Sequence, residues 1–268
     1  MQAHTMRLYT GGFENDSSSH AQTVITFQPM QLEKLTAAAR DMFGVDLSAE
    51  QRTAFALYAE ELIAWNKARA NLTAITDPEG IEIRHFLDSL SILRAVNVPP
   101  NARVIDVGTG AGFPGLPLKI IQPSLQLALL EATGKKIAFL EHLVGALKIS
   151  GVSFVNLRAE EAGQAAAHRE SYDLVLARAV AHMPILVEYL LPLCKLGGKC
   201  IAMKGESAIA EAHHAENALR VLGGKLLNVH PVELPGVAET HYLVVFGKVA
   251  ATPPGFPRKP GIPSKKPL

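Results

Sequence analysis

The sequence predicts an α/β protein: a seven-stranded, mostly parallel sheet with an antiparallel last strand, preceded by an N-terminal helical cap. Three observations carry that reading. Apolar residues recur at helical spacing before residue 100, short apolar runs alternate with helical stretches after it, and the last two runs lie too close together for a crossover helix. Composition allows one large core. The 268 residues carry 48% hydrophobic and 19% charged side chains with a formal net charge of +1, which excludes a disordered, histone-like or acidic-tail protein.

Residues 1–28 are polar and aperiodic and are read as a disordered leader. Residues 29–100 form the predicted helical region. Apolar spacing marks helices over 32–43 and 49–68, the second opened by a capping box between Ser48 and Gln51, with Phe55, Leu57, Tyr58, Leu62 and Trp65 along one face. Asp77 followed by Pro78 announces a third helix, which runs through Leu93 and is ended by Pro99 and Pro100.

Seven strands are predicted at 104–107, 127–130, 154–157, 174–176, 199–203, 226–229 and 242–246, with helices at 135–149, 183–193 and 208–222. The last two strands should pair as an antiparallel edge. Residues 251–268 are read as an extended basic tail unable to build a core: six prolines fall between Pro253 and Leu268, and no acid follows Glu239.

Cys194 and Cys200 sit in apolar surroundings without zinc-ligand spacing, and Cys194 is read as part of a helical Leu-rich segment after Pro192. The expectation is a cytoplasmic, reduced protein with no metal. No signal-peptide block and no apolar run approaching 18 residues occurs, so neither export nor a membrane partner is expected.

The chemistry concentrates where the first strand runs into Asp106-Val107-Gly108-Thr109-Gly110-Ala111-Gly112-Phe113-Pro114-Gly115. Alternating glycines let the chain turn sharply and a ligand approach bare backbone. Two cofactors fit. Gly110 to Gly115 matches G-x-G-x-x-G, and Glu131 ends the second strand where a ribose-binding acid belongs, so NAD and an oxidoreductase remain open. An acid at Asp106 opposes a pyrophosphate, however, and suits a ligand with a sulfonium or ammonium group and no phosphate, namely S-adenosylmethionine.

Trp65-Asn66-Lys67 with Asn71-Leu72-Thr73, His85-Phe86-Leu87-Asp88-Ser89-Leu90, the glycine loop through Lys119, Ala177-Arg178-Ala179-Val180 and Met203-Lys204-Gly205, with Pro257-Arg258-Lys259-Pro260-Gly261 and Lys265-Lys266-Pro267-Leu268 at the end, resemble the bacterial 16S ribosomal RNA guanine-N7 methyltransferase family, also called glucose-inhibited division protein B. The likeness spans nearly all of residues 50–268. It implies a Rossmann-like class I methyltransferase fold over 101–250, S-adenosyl-L-methionine as cofactor, and 16S ribosomal RNA or the small ribosomal subunit as partner, methylated near the decoding site.

The resemblance places Gly108 and Phe113 in the cofactor pocket, Ala159 and Glu160 at the adenine, and Arg178 facing the site. Read from the residues alone, Glu160 is equally an acid favoured in a helix first turn. With Asp106, Gly110 and Glu131 these complete the cofactor-binding set. Arg178 and Lys204 are the catalytic candidates, as guanidinium or ammonium donors to guanine acceptors or as RNA steering charges. Lys135 and Lys136, at a helix start where cations are disfavoured, and Arg258, Lys259, Lys265 and Lys266 are the RNA-binding candidates. His213 and His214 are expected to face solvent, and His85 is left undecided. Guanine N7 carries no proton, and the chain lacks both the N-P-P-[YF] motif of exocyclic-amine methylation and the Pro-Cys pair of covalent pyrimidine attack. A non-catalytic RNA-binding module is the third reading.

Overall fold

The computed structural model describes residues 30–69 and 71–268; the leader predicted at 1–28 lies outside the described residues. Helix α1 (Glu33–Phe43) ends at Gly44, whose left-handed conformation lets its N–H cap the Arg40 carbonyl and Val45 N–H cap that of Ala39. Helix α2 (Ala49–Ala68) starts at the capping box: the Ser48 hydroxyl accepts from Gln51 N–H while the Gln51 side chain accepts from Ser48 N–H. Phe55, Tyr58 and Leu62 are buried on its inner face, as their spacing predicts.

The third helical segment changes pitch along its length. Asp77 caps α3 (Pro78–Gly80), followed by a π-helical stretch (Ile81–Leu87), α4 (Asp88–Leu90) and a 3-10 turn (Ser91–Arg94), so it ends before Pro99 rather than at it. The wider π turn buries His85 and Glu82 along with Ile81, Ile83, Phe86 and Leu87.

Seven strands form one sheet: β1 (Arg103–Val107), β2 (Gln126–Leu130), β3 (Val152–Val155), β4 (Tyr172–Arg178), β5 (Cys194–Lys204), β6 (Gly224–Val232) and β7 (His241–Lys248), in the order β3-β2-β1-β4-β5-β7-β6. Neighbours are parallel from β3 to β5, and β7 runs antiparallel to both β5 and β6. Strand order reverses between β1 and β4, so the crevice beyond their carboxyl ends is where an open α/β sheet binds ligands.

Period-two alternation divides the sheet into two faces. Val104, Leu127, Leu129, Leu174, Leu176, Ile201, Met203, Leu243 and Val245 join the core beneath α1, α2, the segment 78–94, α5 (Gly115–Ile121) and α6 (Gly134–Leu147). Ile105, Val107, Ala128, Leu130, Val175, Ala177, Cys200, Ala202, Val244 and Phe246 face α7 (Ala159–Gln164), α8 (Met183–Leu190), α9 (Ala208–His214) and α10 (Glu216–Leu222). The N-terminal helices thus cover one face of the sheet.

Four boundaries depart from the sequence reading. The helix predicted to 193 stops at Leu190, two residues before Pro192, so Cys194 opens β5 instead of sitting in a helix. The helix predicted over 208–222 breaks at Ala215 into α9 and α10. The third strand lies two residues earlier than 154–157; Asn156 leaves the ladder and its side-chain amide donates to the Glu131 carbonyl. Residues 251–268 are not a solvated extension. Arg169 donates to the Thr252, Pro253 and Phe256 carbonyls, Gln164 to those of Pro254 and Pro257, and α11 (Ile262–Lys265) packs near α8. Among the described residues no helix is long and apolar enough to cross a membrane.

Candidate functional site

The loop after β1 is drawn into a tight cup. Gly108 (φ +67°) and Gly112 (φ +102°) take conformations that side chains resist, and a Cβ on Gly108 would stand 2.8 Å from Val180 Cγ2. The loop holds itself by its own amides. Gly108 and Thr109 N–H donate to the Leu130 carbonyl, Gly110 N–H to Glu131 Oε2, Gly112 and Phe113 N–H to the Thr109 carbonyl, and Gly115 N–H to Asp106 Oδ2. Ala111 N–H alone in this run has no partner among the described residues.

Asp106 is fully buried beneath the cup. Its Oδ2 accepts the Thr109 hydroxyl at 2.6 Å and Gly115 N–H at 2.9 Å, while Oδ1 has no partner. Burial pushes its carboxyl up to about 6, against the lowering effect of the Thr109 and Gly115 bonds and the Arg178 charge. The expectation that Asp106 meets a ligand cation directly is therefore corrected: it staples the loop from below. Glu131 is the acid at the rim, its carboxylate oriented by Gly110 N–H and Thr133 N–H.

Beside the cup lies a cluster that joins three elements. The Arg178 guanidinium, at the end of β4, stands 4.9 Å above the Phe113 ring. Its Nη1 donates to Asp88 Oδ2 and the Arg84 carbonyl, each at 3.0 Å, and its Nη2 donates to His85 Nδ1 at 3.2 Å. A guanidinium only donates, so His85 Nδ1 accepts and its proton sits on Nε2, directed to Thr73 Oγ1 at 2.8 Å. Burial and then the Arg178 charge lower His85 to about 4, which keeps the imidazole neutral. The ring stacks on Phe113 at 4.5 Å, and Phe113 stacks on Tyr58 at 5.2 Å. Asn66 pins the turn that presents Thr73, accepting from Leu72 N–H and donating to the Thr73 carbonyl.

The structure brings together Asp106, Gly108, Gly110, Phe113, Glu131 and Arg178 at the carboxyl ends of β1, β2 and β4. Phe113 is buried, packed among the Tyr58, His85 and Phe86 rings and under the Arg178 guanidinium. Ala159 and Glu160 open α7 beyond β3, but the Glu160 carboxylate turns away to accept Gly261 N–H at 2.9 Å.

Two candidates are corrected. Lys204 lies on the face of the sheet opposite Arg178; its ammonium is held by Glu211 at 2.7 Å and the Ala181 carbonyl at 2.9 Å, so it ties β5 to α9. Arg258 is bound to the fully buried Glu188 through both Nε and Nη2, which makes it a structural anchor. Lys135, Lys259, Lys265 and Lys266 are exposed, and Lys136 lies 3.8 Å from Glu131. His213 and His214 face solvent. No group of three metal-ligating side chains occurs among the described residues.

Tyr58, Asp88 and His241 were missed as site residues. Tyr58 donates to the Ala111 carbonyl at 2.6 Å, and His241 Nδ1 lies 2.9 Å from Asp88 Oδ1. Strand parity was the available signal for His241: it shares the 241-243-245 face, as Arg178 shares 174-176-178.

Residues 51–239 match the sequence profile of the family described as rRNA small subunit methyltransferase G. The chain is 50% identical over 226 residues to the ribosomal RNA small subunit methyltransferase G of Roseiflexus castenholzii, covering 84% of this chain and 95% of that protein. It is 44% identical over 234 residues to the protein of the same name from Desulforamulus reducens (87% and 97% covered) and 41% identical over 240 residues to that from Desulfitobacterium hafniense (90% and 99% covered).

Proposed function

The chain belongs to the rRNA small subunit methyltransferase G family, and from that premise we propose that it transfers the methyl group of S-adenosyl-L-methionine to N7 of a guanine in 16S ribosomal RNA near the decoding site. The observation that carries the choice of cofactor is the state of the glycine-loop amides. A pyrophosphate needs several free N–H groups, yet every amide from Gly108 to Gly115 is spent within the protein except that of Ala111, Pro114 having none. A phosphate-free ligand needs only the bare backbone and an acid for its ribose, which the cup and Glu131 offer. NAD-dependent oxidation is the less favoured reading on the same ground.

The cofactor supplies an electrophilic methyl on a sulfonium sulfur. Glu131 would accept the ribose hydroxyls, the Gly108–Gly110 backbone would border the ligand, and Ala159 with the backbone of Glu160 would meet the adenine. Guanine N7 attacks with a lone pair and releases no proton, so no residue need act as base. His85 has both ring nitrogens engaged, Nδ1 by Arg178 and Nε2 by Thr73, and so offers no free base. Arg178, whose Nε and one Nη2 hydrogen have no partner among the described residues, would donate to guanine O6 or a neighbouring phosphate. Alignment does the main work, worth about 7 to 11 kcal/mol when reacting atoms are held in attack geometry.

Residues 29–100 serve as a cap over one sheet face, 101–250 as the methyltransferase domain and 251–268 as a docked basic segment. Exposed Lys135, Lys259, Lys265 and Lys266, with Lys136, are the proposed RNA contacts, on naked RNA or the small subunit, in the cytoplasm. The test has two arms. In a thermal melt S-adenosylhomocysteine should raise the midpoint and NADH should not; the reverse overturns the cofactor. Tritium from labelled cofactor should enter 16S RNA at a site cleaved by borohydride and aniline. RNA binding without transfer would instead mark a non-catalytic module.

A further inference from the structure

Asp88 is buried, yet its carboxylate meets two basic side chains from two strands. Oδ2 takes Arg178 Nη1 at 3.0 Å and Oδ1 meets His241 Nδ1 at 2.9 Å, while the segment 78–94 carries Asp88 over the carboxyl edge of the sheet. Arg178 ends β4 and His241 starts the antiparallel β7, so both lie at that edge and both point to the face the helical cap covers. Three of the five Arg178 N–H groups are thus engaged, by Asp88, the Arg84 carbonyl and His85, which leaves Nε and one Nη2 hydrogen without a partner among the described residues, and the guanidinium stands 4.9 Å from the centre of the Phe113 ring of the glycine loop.

We propose that Asp88 is a positioning residue for methyl transfer: it sets the direction of the Arg178 guanidinium, and with His241 it sets the net charge that faces the purine. The inference rests on the reading of Arg178 as the group that meets the RNA. Its physical reason lies in the reaction. Positive charge leaves the sulfonium and develops on the guanine as N7 attacks, so a bare guanidinium at that place would oppose the transfer, while one paired with a carboxylate can donate hydrogen bonds at little electrostatic cost.

His241 tunes the pairing. The groups that face it are Asp88 from the segment 78–94, Arg178 from β4 and Glu239 from the turn before β7; the bond to Asp88 raises its pKa above the usual histidine value. Protonated His241 leaves the Arg178–Asp88–His241 group with a net positive charge, and neutral His241 leaves it uncharged. Methyl transfer should therefore rise as pH rises through the His241 titration.

Asp88→Asn keeps the shape of the side chain and removes its charge. The measurements are kcat and KM for 16S RNA between pH about 5 and about 8, the Kd for S-adenosylhomocysteine, and the melting midpoint, on wild type, D88N, D88E, H241Q and, as a solvent-facing control, H213Q. D88N should lose about tenfold or more in kcat/KM for RNA, with cofactor Kd changed less than about twofold, and D88E should recover part of the loss. H241Q should lose the pH step above the usual histidine value and H213Q should keep it; Asp106 titrates in both and cannot account for the difference. A D88N enzyme as active as wild type, a loss of cofactor affinity that parallels the loss of rate, or a step that survives in H241Q overturns the inference. Wild-type protein that transfers no methyl group overturns the function itself, and this inference with it.

Discussion

Gly261 N–H donates to the Glu160 carboxylate at 2.9 Å across 101 residues of sequence, fastening the C-terminal segment to the first turn of α7. Two ion pairs reinforce the attachment: Arg258 on Glu188, and Lys248 with Glu170, whose other bond is to Thr252 N–H. The segment therefore contributes to the fold as well as to charge. Arg258→Ala strands the fully buried Glu188 carboxylate with only the residue 258 N–H, and should cost about 3 kcal/mol in urea unfolding, whereas Lys265→Ala should stay within about 0.5 kcal/mol. Equal costs for the two would contradict the division into anchor and surface charge.

The same division sets the salt dependence of RNA binding. Lys259, Lys265 and Lys266 are exposed on the anchored segment, while the Arg258 charge is held by Glu188. Replacing the three lysines by Gln should flatten the slope of log K against log salt by about two units if all three meet phosphates of single-stranded RNA. Binding that keeps its slope would place the RNA elsewhere.

These two expectations also mark what the sequence could disclose. Local rules read the scaffold well: the Ser48–Gln51 box, the Asp77 cap and the glycine turn after β1 appear where their spacing puts them, and the seven apolar runs all become strands, the third of them shifted by two residues. Partners at long range were not legible. A segment of prolines and cations reads as solvated because the carboxylates that hold it, Glu160, Glu170 and Glu188, lie far upstream and look like ordinary helix or loop acids. Lys204 and Arg178 look equivalent as charges closing parallel strands. They separate only because the parity of β5 sends Lys204 to the face of α9, a consequence of where that strand begins and bulges.

The cup itself should tolerate no side chain at Gly108. An alanine there would have to keep φ near +67° with its Cβ 2.8 Å from Val180 Cγ2, and the strained backbone costs about 1 to 3 kcal/mol. Because the loop can relieve that strain only by opening, Gly108→Ala should weaken S-adenosylhomocysteine binding about tenfold or more by calorimetry, with the circular-dichroism spectrum unchanged. Retained affinity would mean that the ligand does not depend on the closed loop.

Asp106 gives the loop a pH dependence whose sign can be worked out. In the folded chain burial holds its proton up to pH about 6, but in the unfolded chain it is lost near 3.8. Between those values the folded state binds more protons, so this carboxyl favours folding at acid pH and its contribution declines as pH rises through the window. Full ionisation under the loop then costs up to about 3 kcal/mol relative to the neutral acid. Asn at 106 can still accept from the Thr109 hydroxyl and Gly115 N–H, and its amide offers a donor where Oδ1 now stands alone. His85 titrates the other way, its neutral form being favoured by the fold, and it is common to both proteins. The stability of Asp106→Asn relative to wild type should therefore increase from pH about 4 to about 6 and level off above, in urea midpoints taken at each pH. A difference that stays flat across that range would mean the carboxylate finds a donor for Oδ1 and ionises at its ordinary value.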